Sequence, residues 1–192
     1  MFYLIARVVC RLVLAFVRQW EVSGRDNMPA HGGVVIVSNH TSYWDPVIVG
    51  CSFDRRVSYM GKAELFNKNP VFTWLIRALG SFPIKRGKSD REALKFAINH
   101  LKSDGIIGLF PEGGRSTTGD LQGARRGAAM LAAKAGVPIL PVGIKGARGW
   151  GRVVVKVGKP IDTVFYSDQK VNKETLDDIS RVFMNSIEEL LK

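Results

Sequence analysis

VVIVSNHTSYWDP, residues 34–46, is the stretch on which the fold is read. Its opening run, VVIVSN, is apolar and rich in β-branched residues, the pattern of a strand buried on both faces. Asp45 and Pro46 then open a helix, with a capping residue and a proline at the first position. The same alternation continues along the chain. RVSYM (56–60) reads as a short strand, Pro70 to Leu79 as a helix, and SFPIK (81–85) as extended. Ser89 and Asp90 start an amphipathic helix whose Ala93, Leu94, Ala97, Ile98 and Leu101 share one face. IIGLF (106–110) is a strand, residues 125–135 are helical and end at Gly136, and VPILPVGI and RVVVKVG are strands. The prolines of VPILPVGI place it at a sheet edge or make it irregular. A last helix follows Asn172, with Leu176, Ile179, Phe183, Ile187 and Leu190 at helical spacing. Strand and helix alternating in this way predict an α/β domain, a mostly parallel sheet flanked by helices.

Composition narrows the partners. The chain has 192 residues, enough for one substantial core, and no repeat or linker divides it beyond its first helix. Lys and Arg number 28 against 17 Asp and Glu, so the chain carries +11 and suits an anionic partner: nucleic acid, an acidic membrane surface or a phosphorylated substrate. Cys10 and Cys51 have neither zinc-site spacing nor the density of a disulfide framework, which points to a reducing compartment. No set of His, Cys, Asp and Glu has metal-ligand spacing, so no metal is expected.

Residues 1–19 form a unit ahead of the main domain, 20–192. FYLIARVVCRLVLAFVRQW is apolar apart from Arg7, Arg11 and Arg18, which fall within an arc of roughly 40° on a helix. Its longest uncharged stretch, Leu12 to Val17, is far short of the ~18 residues a spanning helix needs. No small-residue cleavage site follows, so it does not read as a signal peptide. Two placements fit. The helix lies in a membrane interface with its arginines toward lipid phosphates, or it packs on the protein's own core. Leu65, Phe66, Val71, Phe72, Trp74, Leu75 and Ile76 form a second greasy cluster open to the same two readings.

Three motifs sit on loops after strands, where α/β sheets gather their sites. In NHTSYWD, His40 leaves the strand and Asp45 follows at a helix start. A loop can bring the two together, the carboxylate holding one ring nitrogen and leaving the other as a general base. Alternatively, Asp45 is a plain helix cap and His40 a loop histidine. GLFPEGGRS (108–116) has the glycine spacing of a phosphate loop, but Gly114 stands where its lysine belongs and Pro111 has no N–H to offer. Arg115 can still hold a phosphate with its planar fork. GSFPIKR ends in Arg86, a further cation. Together these specify a base and a phosphate clamp.

At these residues the chain resembles the glycerolipid acyltransferase family, in particular its 1-acyl-glycerol-3-phosphate acyltransferases. Four ordered blocks carry the resemblance: NHTSYWD, GSFPIKR, FPEGGRS and VPILPV, with Lys62-Ala63-Glu64-Leu65 similar to a basic segment between the first two. It extends from about residue 20 to 160. The resemblance implies His40 as general base, Asp45 as its orienter, Arg86 and Arg115 on the acceptor phosphate with Lys62 assisting, and Glu112 and Gly113 shaping the acceptor pocket. It implies direct acyl transfer to lysophosphatidic acid from an acyl-CoA or acyl carrier protein thioester, giving phosphatidic acid with no further cofactor. The expected location is monotopic on the cytoplasmic face of an anionic membrane. One departure is Gly114, where the family's pattern has Thr; it bears on acceptor preference. Other acceptors, glycerol-3-phosphate or a lysophospholipid, use the same chemistry. A lipid hydrolase is disfavoured because Ser38, Ser42 and Ser116 lie in no GxSxG elbow. A basic anion-binding module for nucleic acid lacks any recognition signature, so no nucleic acid is expected.

Overall fold

The computed structural model describes residues 2–67, 69–85, 90–163 and 171–192. In chain order the elements are α1 (Phe2–Arg18), β1 (Glu21–Ser23), β2 (Val34–Ser38), α2 (Asp45–Ser52), β3 (Val57–Lys62), α3 (Pro70–Ala78), β4 (Ser81–Ile84), α4 (Arg91–Lys102), β5 (Ile106–Leu109), α5 (Gly127–Ala135), β6 (Ile139–Lys145), β7 (Val154–Val157) and α6 (Lys173–Leu190). The seven strands form one sheet in the order β1-β7-β6-β2-β5-β3-β4, parallel at every pair except β6–β7.

β2 shows why the sheet is covered on both sides. Its residues alternate between two apolar clusters, Val34 and Ile36 in one, Val35 and Val37 in the other. The first cluster contains Leu14 of α1 and Ile48, Val49 and Cys51 of α2. The second takes Ala97 and Leu101 of α4, Ala128, Ala129 and Ala132 of α5, and Phe183 and Ile187 of α6. The small side chains of α5 let that helix lie close to the strands. Gly136 ends it with φ +66°, a left-handed stop that glycine adopts without penalty.

Three expectations need correction. β1 pairs with β7 and was not foreseen; three residues are too few to show a period. β6 is an interior strand, buried along nearly its whole length, despite its prolines. Pro141 faces β7 at the end of that ladder, where its carbonyl accepts from Gly158 N–H at 2.9 Å and only one rung is lost. The other neighbour, β2, bonds the alternate residues, so its ladder is untouched.

The third correction concerns α1. Its arginines face the protein, not lipid. Arg11 donates to the carbonyls of Cys51 (2.8 Å) and Phe53 (2.9 Å), and Arg7 to those of Phe53 and Asp54. These are the C-terminal carbonyls of α2, which lack helical partners and carry the negative end of its dipole. Arg18, only 2% exposed, bonds Gly146 and Gly151 in the turn between β6 and β7. The opposite face of α1 is left bare: Leu4, Ile5, Val8, Val9, Leu12 and Phe16 are exposed. At its N-terminal end Phe2 packs 5.0 Å from Trp74 of α3, whose Val71 and Phe72 are also exposed. The greasy cluster is therefore mixed, with Phe66 in the core and the α3 residues on the surface. No described helix is long and apolar enough to cross a membrane.

Candidate active site

β2 and β5 are neighbours, yet the chain leaves them in opposite directions, to α2 on one face and α5 on the other. The two loops meet at the carboxyl end of the sheet, the switch point at which α/β sheets bind ligands. NHTSYWD forms one and FPEGGRS the other.

The loop after β2 is held by the residue next to the histidine. Asn39, buried just past the end of β2, donates to Ile144 O (2.9 Å) and accepts from Ile144 N–H (2.8 Å), extending the β2–β6 pairing through its side chain. His40 then turns out with its side chain 17% exposed, and its Nδ1 lies 2.8 Å from Asp45 Oδ2. That same oxygen accepts from the backbone N–H of Thr41 (2.6 Å) and Ser42 (2.7 Å). Asp45 is therefore not the cap of α2, a position Trp44 takes. It reaches backward to fix the loop and the imidazole together. The carboxylate is wholly buried, and its place on Nδ1 favours the Nδ1–H tautomer. Nε2 has no protein partner among the described residues and is left for substrate.

Rings set the plane of the histidine. Phe110 stacks on His40 at 4.1 Å between centroids, and Tyr59 of β3 lies parallel beyond it at 6.4 Å. Tyr59 is anchored by donating to Pro46 O at 2.7 Å, and burial pushes its phenol well above the ordinary value.

The two loops are stitched together at Glu112. Its Oε1 accepts from His40 N–H (2.8 Å) and its Oε2 from Gln122 N–H (3.2 Å), while Ser116 N–H donates to His40 O (2.8 Å). Burial, the larger influence, pushes the Glu112 carboxyl above its usual range, against those two N–H groups that hold it down. Glu112 therefore acts on backbone and ties the two loops together. Gly113 follows with φ +76°, and a Cβ there would lie 2.3 Å from Nε of Arg125. Only glycine fits. The arginine packed over it is a cation that sequence reasoning missed.

Arg115 is exposed, its guanidinium 3.6 Å over the Tyr43 ring and its Nη2 2.8 Å from the Tyr43 hydroxyl. Lys62 stands exposed at the carboxyl end of β3, on the same sheet edge. Neither it nor Arg115 pairs with an acid among the described residues. Arg86 lies outside the described residues. The structure thus brings His40, Asp45, Glu112 and Gly113 together, with Arg115 on the adjoining turn. Phe110, Tyr43 and Asn39 were passed over although they lie inside the quoted motifs. Their roles depend on partners 70 and more residues away, beyond any local spacing. The serine hydroxyls are engaged elsewhere: Ser38 with Asn39, Ser42 with Trp44 N–H, Ser116 with Gly119 N–H.

Known proteins resemble this chain in sequence and in fold. An acyltransferase family model matches residues 19–145. The 1-acyl-sn-glycerol-3-phosphate acyltransferase of Streptococcus pneumoniae is 33% identical, over 99% of this chain and 73% of its own length. The Bacillus subtilis enzyme of the same name is 31% identical, over 72% of this chain and 68% of its own. The crystal structure of the 1-acyl-sn-glycerophosphate acyltransferase of Thermotoga maritima superposes with a TM-score of 0.77 at 27% identity, covering 98% of this chain and 79% of that one.

Proposed function

The chain belongs to the acyltransferase family, and on that premise we propose that it moves a fatty acyl group from a thioester to the free hydroxyl of 1-acyl-glycerol-3-phosphate, forming phosphatidic acid. The observation that carries the mechanism is the 2.8 Å contact of His40 Nδ1 with a buried Asp45, which leaves Nε2 without a protein partner among the described residues. Nε2 takes the hydroxyl proton as the oxygen attacks the thioester carbonyl. The new C–O bond forms, the C–S bond breaks, and the proton passes from the imidazolium to the departing thiolate. A positioned base of this kind is worth about 10²–10⁴ in rate. The thioester is already activated, so neither an acyl-enzyme nor a metal enters the scheme. Its carrier is coenzyme A or acyl carrier protein.

Arg115 and Lys62, cations without acidic partners among the described residues, are assigned to the acceptor phosphate, with Arg86 of the sequence as a third. Glu112 and Gly113 shape the pocket through backbone rather than by touching phosphate. The bare face of α1, continuous with α3 through Phe2 and Trp74, is assigned to an anionic membrane surface on its cytoplasmic side. There the enzyme is monotopic, takes its acceptor from the leaflet and returns its product to it.

The test is acyl transfer to lysophosphatidic acid in phospholipid vesicles, offered acyl-CoA and acyl carrier protein thioesters in turn. The wild type forms phosphatidic acid and a folded His40→Ala variant loses at least about a hundredfold in rate. Near-normal turnover by that variant would remove His40 from the mechanism.

A further inference from the structure

Arg115 is an exposed cation of the site, yet it is not left to wander. Its guanidinium lies 3.6 Å above the Tyr43 ring and Nη2 reaches the Tyr43 hydroxyl at 2.8 Å. An unrestrained arginine has many rotamers, and a ligand that fixes it loses that freedom on binding. Here the ordering is already done by a neighbour. A guanidinium has five N–H donors in a fixed fork, and the tyrosine occupies one face and one of them. The remaining edge is open to a dianionic phosphate, which takes two parallel bonds from such a fork.

The tyrosine also places the arm relative to the reacting atoms. Tyr43 lies three residues from His40, within the loop that Asp45 fixes through Thr41 and Ser42. Arg115 lies in the loop after β5. The two loops are already joined by Glu112 to His40 N–H and by Ser116 N–H to His40 O. The Tyr43–Arg115 contact is a third tie, and the one that reaches a side chain on the surface. We infer that Tyr43 is a positioning residue for the acceptor: it holds Arg115 at a set distance from His40, so that a captured phosphate presents its glycerol hydroxyl to Nε2. Specificity for a phosphorylated acceptor then rests on a residue that does not itself touch phosphate. The inference rests on the assignment of Arg115 to the acceptor phosphate.

Steady-state kinetics on four variants test it, with KM measured separately for lysophosphatidic acid and for acyl-CoA. Tyr43→Phe keeps the ring and loses the hydroxyl bond, and raises the acceptor KM about threefold. Tyr43→Leu loses both and raises it about tenfold. In each, the KM for acyl-CoA stays within about twofold of wild type, which a general loosening of the loop would not allow, while kcat falls because the hydroxyl is held less squarely against Nε2. Arg115→Ala raises the acceptor KM more than either, and adding Tyr43→Leu to it has no further effect. Additive effects in the double variant, or an unchanged acceptor KM in Tyr43→Leu, would overturn the positioning role while leaving Arg115 in place. An unchanged acceptor KM in Arg115→Ala would instead overturn the phosphate assignment beneath it.

Discussion

The arginines of α1 and the arginine of the loop after β5 carry the same group into opposite circumstances. Arg7, Arg11 and Arg18 are turned inward and bond the carbonyls at the end of α2 and in the β6–β7 turn, with Arg11 also on the Asp54 carboxylate. Arg115 is turned outward, stacked on one ring and bonded to one hydroxyl, its fork open. Each of these arginines adds the same unit to the net charge of +11, so the charge by itself does not locate the anion site. What distinguishes them is how many donors the protein has already satisfied. The inward set holds a helix in place. The outward one is free to hold a ligand.

The comparison breaks most sharply at Arg18. It is almost fully buried and makes two charge-assisted bonds to backbone carbonyls, which its loss leaves without donors. Arg18→Ala should destabilise the fold by about 3 kcal/mol, each such bond being worth roughly 1.5–3. In a chain of this size that lowers Tm by about 6–12 °C in a thermal melt. The KM for lysophosphatidic acid should stay near wild type below the melting range. A melt indistinguishable from wild type would mean that the inward set is not structural, and the distinction would fall.

A smaller effect is expected on the outer face of the same helix. Phe16 is 83% exposed, so its side chain adds little to the fold. If α1 lies in lipid, that side chain is buried there. Phe16→Ser should then weaken binding to vesicles containing phosphatidylglycerol about tenfold, with an unchanged melt. Binding to vesicles as tight as wild type would exclude this face as the membrane contact.

The helical period showed that the three arginines of α1 share a face and not what that face meets. Periodicity is a property of one element, whereas the need for donors arises at the end of another, α2. The same limit explains β6. Its prolines argue for an edge because a missing N–H weakens a ladder, but which neighbour loses the bond depends on register, and here it is the last rung toward β7. By contrast, β2, β5 and the loops after them were legible, because a buried strand must be continuously apolar and a site loop must carry its polar groups together. His40 and Asp45 could be paired from their spacing, although not the backward reach of Asp45 to Thr41 and Ser42. The partnership of Arg115 with Tyr43 spans 72 residues and needed the sheet order to bring the loops side by side.

Gly114 tests the outward set most gently. It precedes Arg115, its φ lies outside the left-handed region, and a Cβ there would meet nothing within 4 Å. A threonine therefore fits without strain, which is the residue the family's pattern has at this place. Glycine's freedom is lost on folding, so Gly114→Thr should stabilise the chain by about 0.4–1 kcal/mol, seen as a rise in Tm of roughly 1–4 °C. The stiffer turn also narrows the range over which Arg115 moves. The KM for lysophosphatidic acid should fall about twofold, with kcat unchanged. A KM that rises while the melt still improves would mean that Arg115 must swing off Tyr43 to reach phosphate, so that glycine at 114 serves the movement and the stacked arrangement is one the substrate displaces.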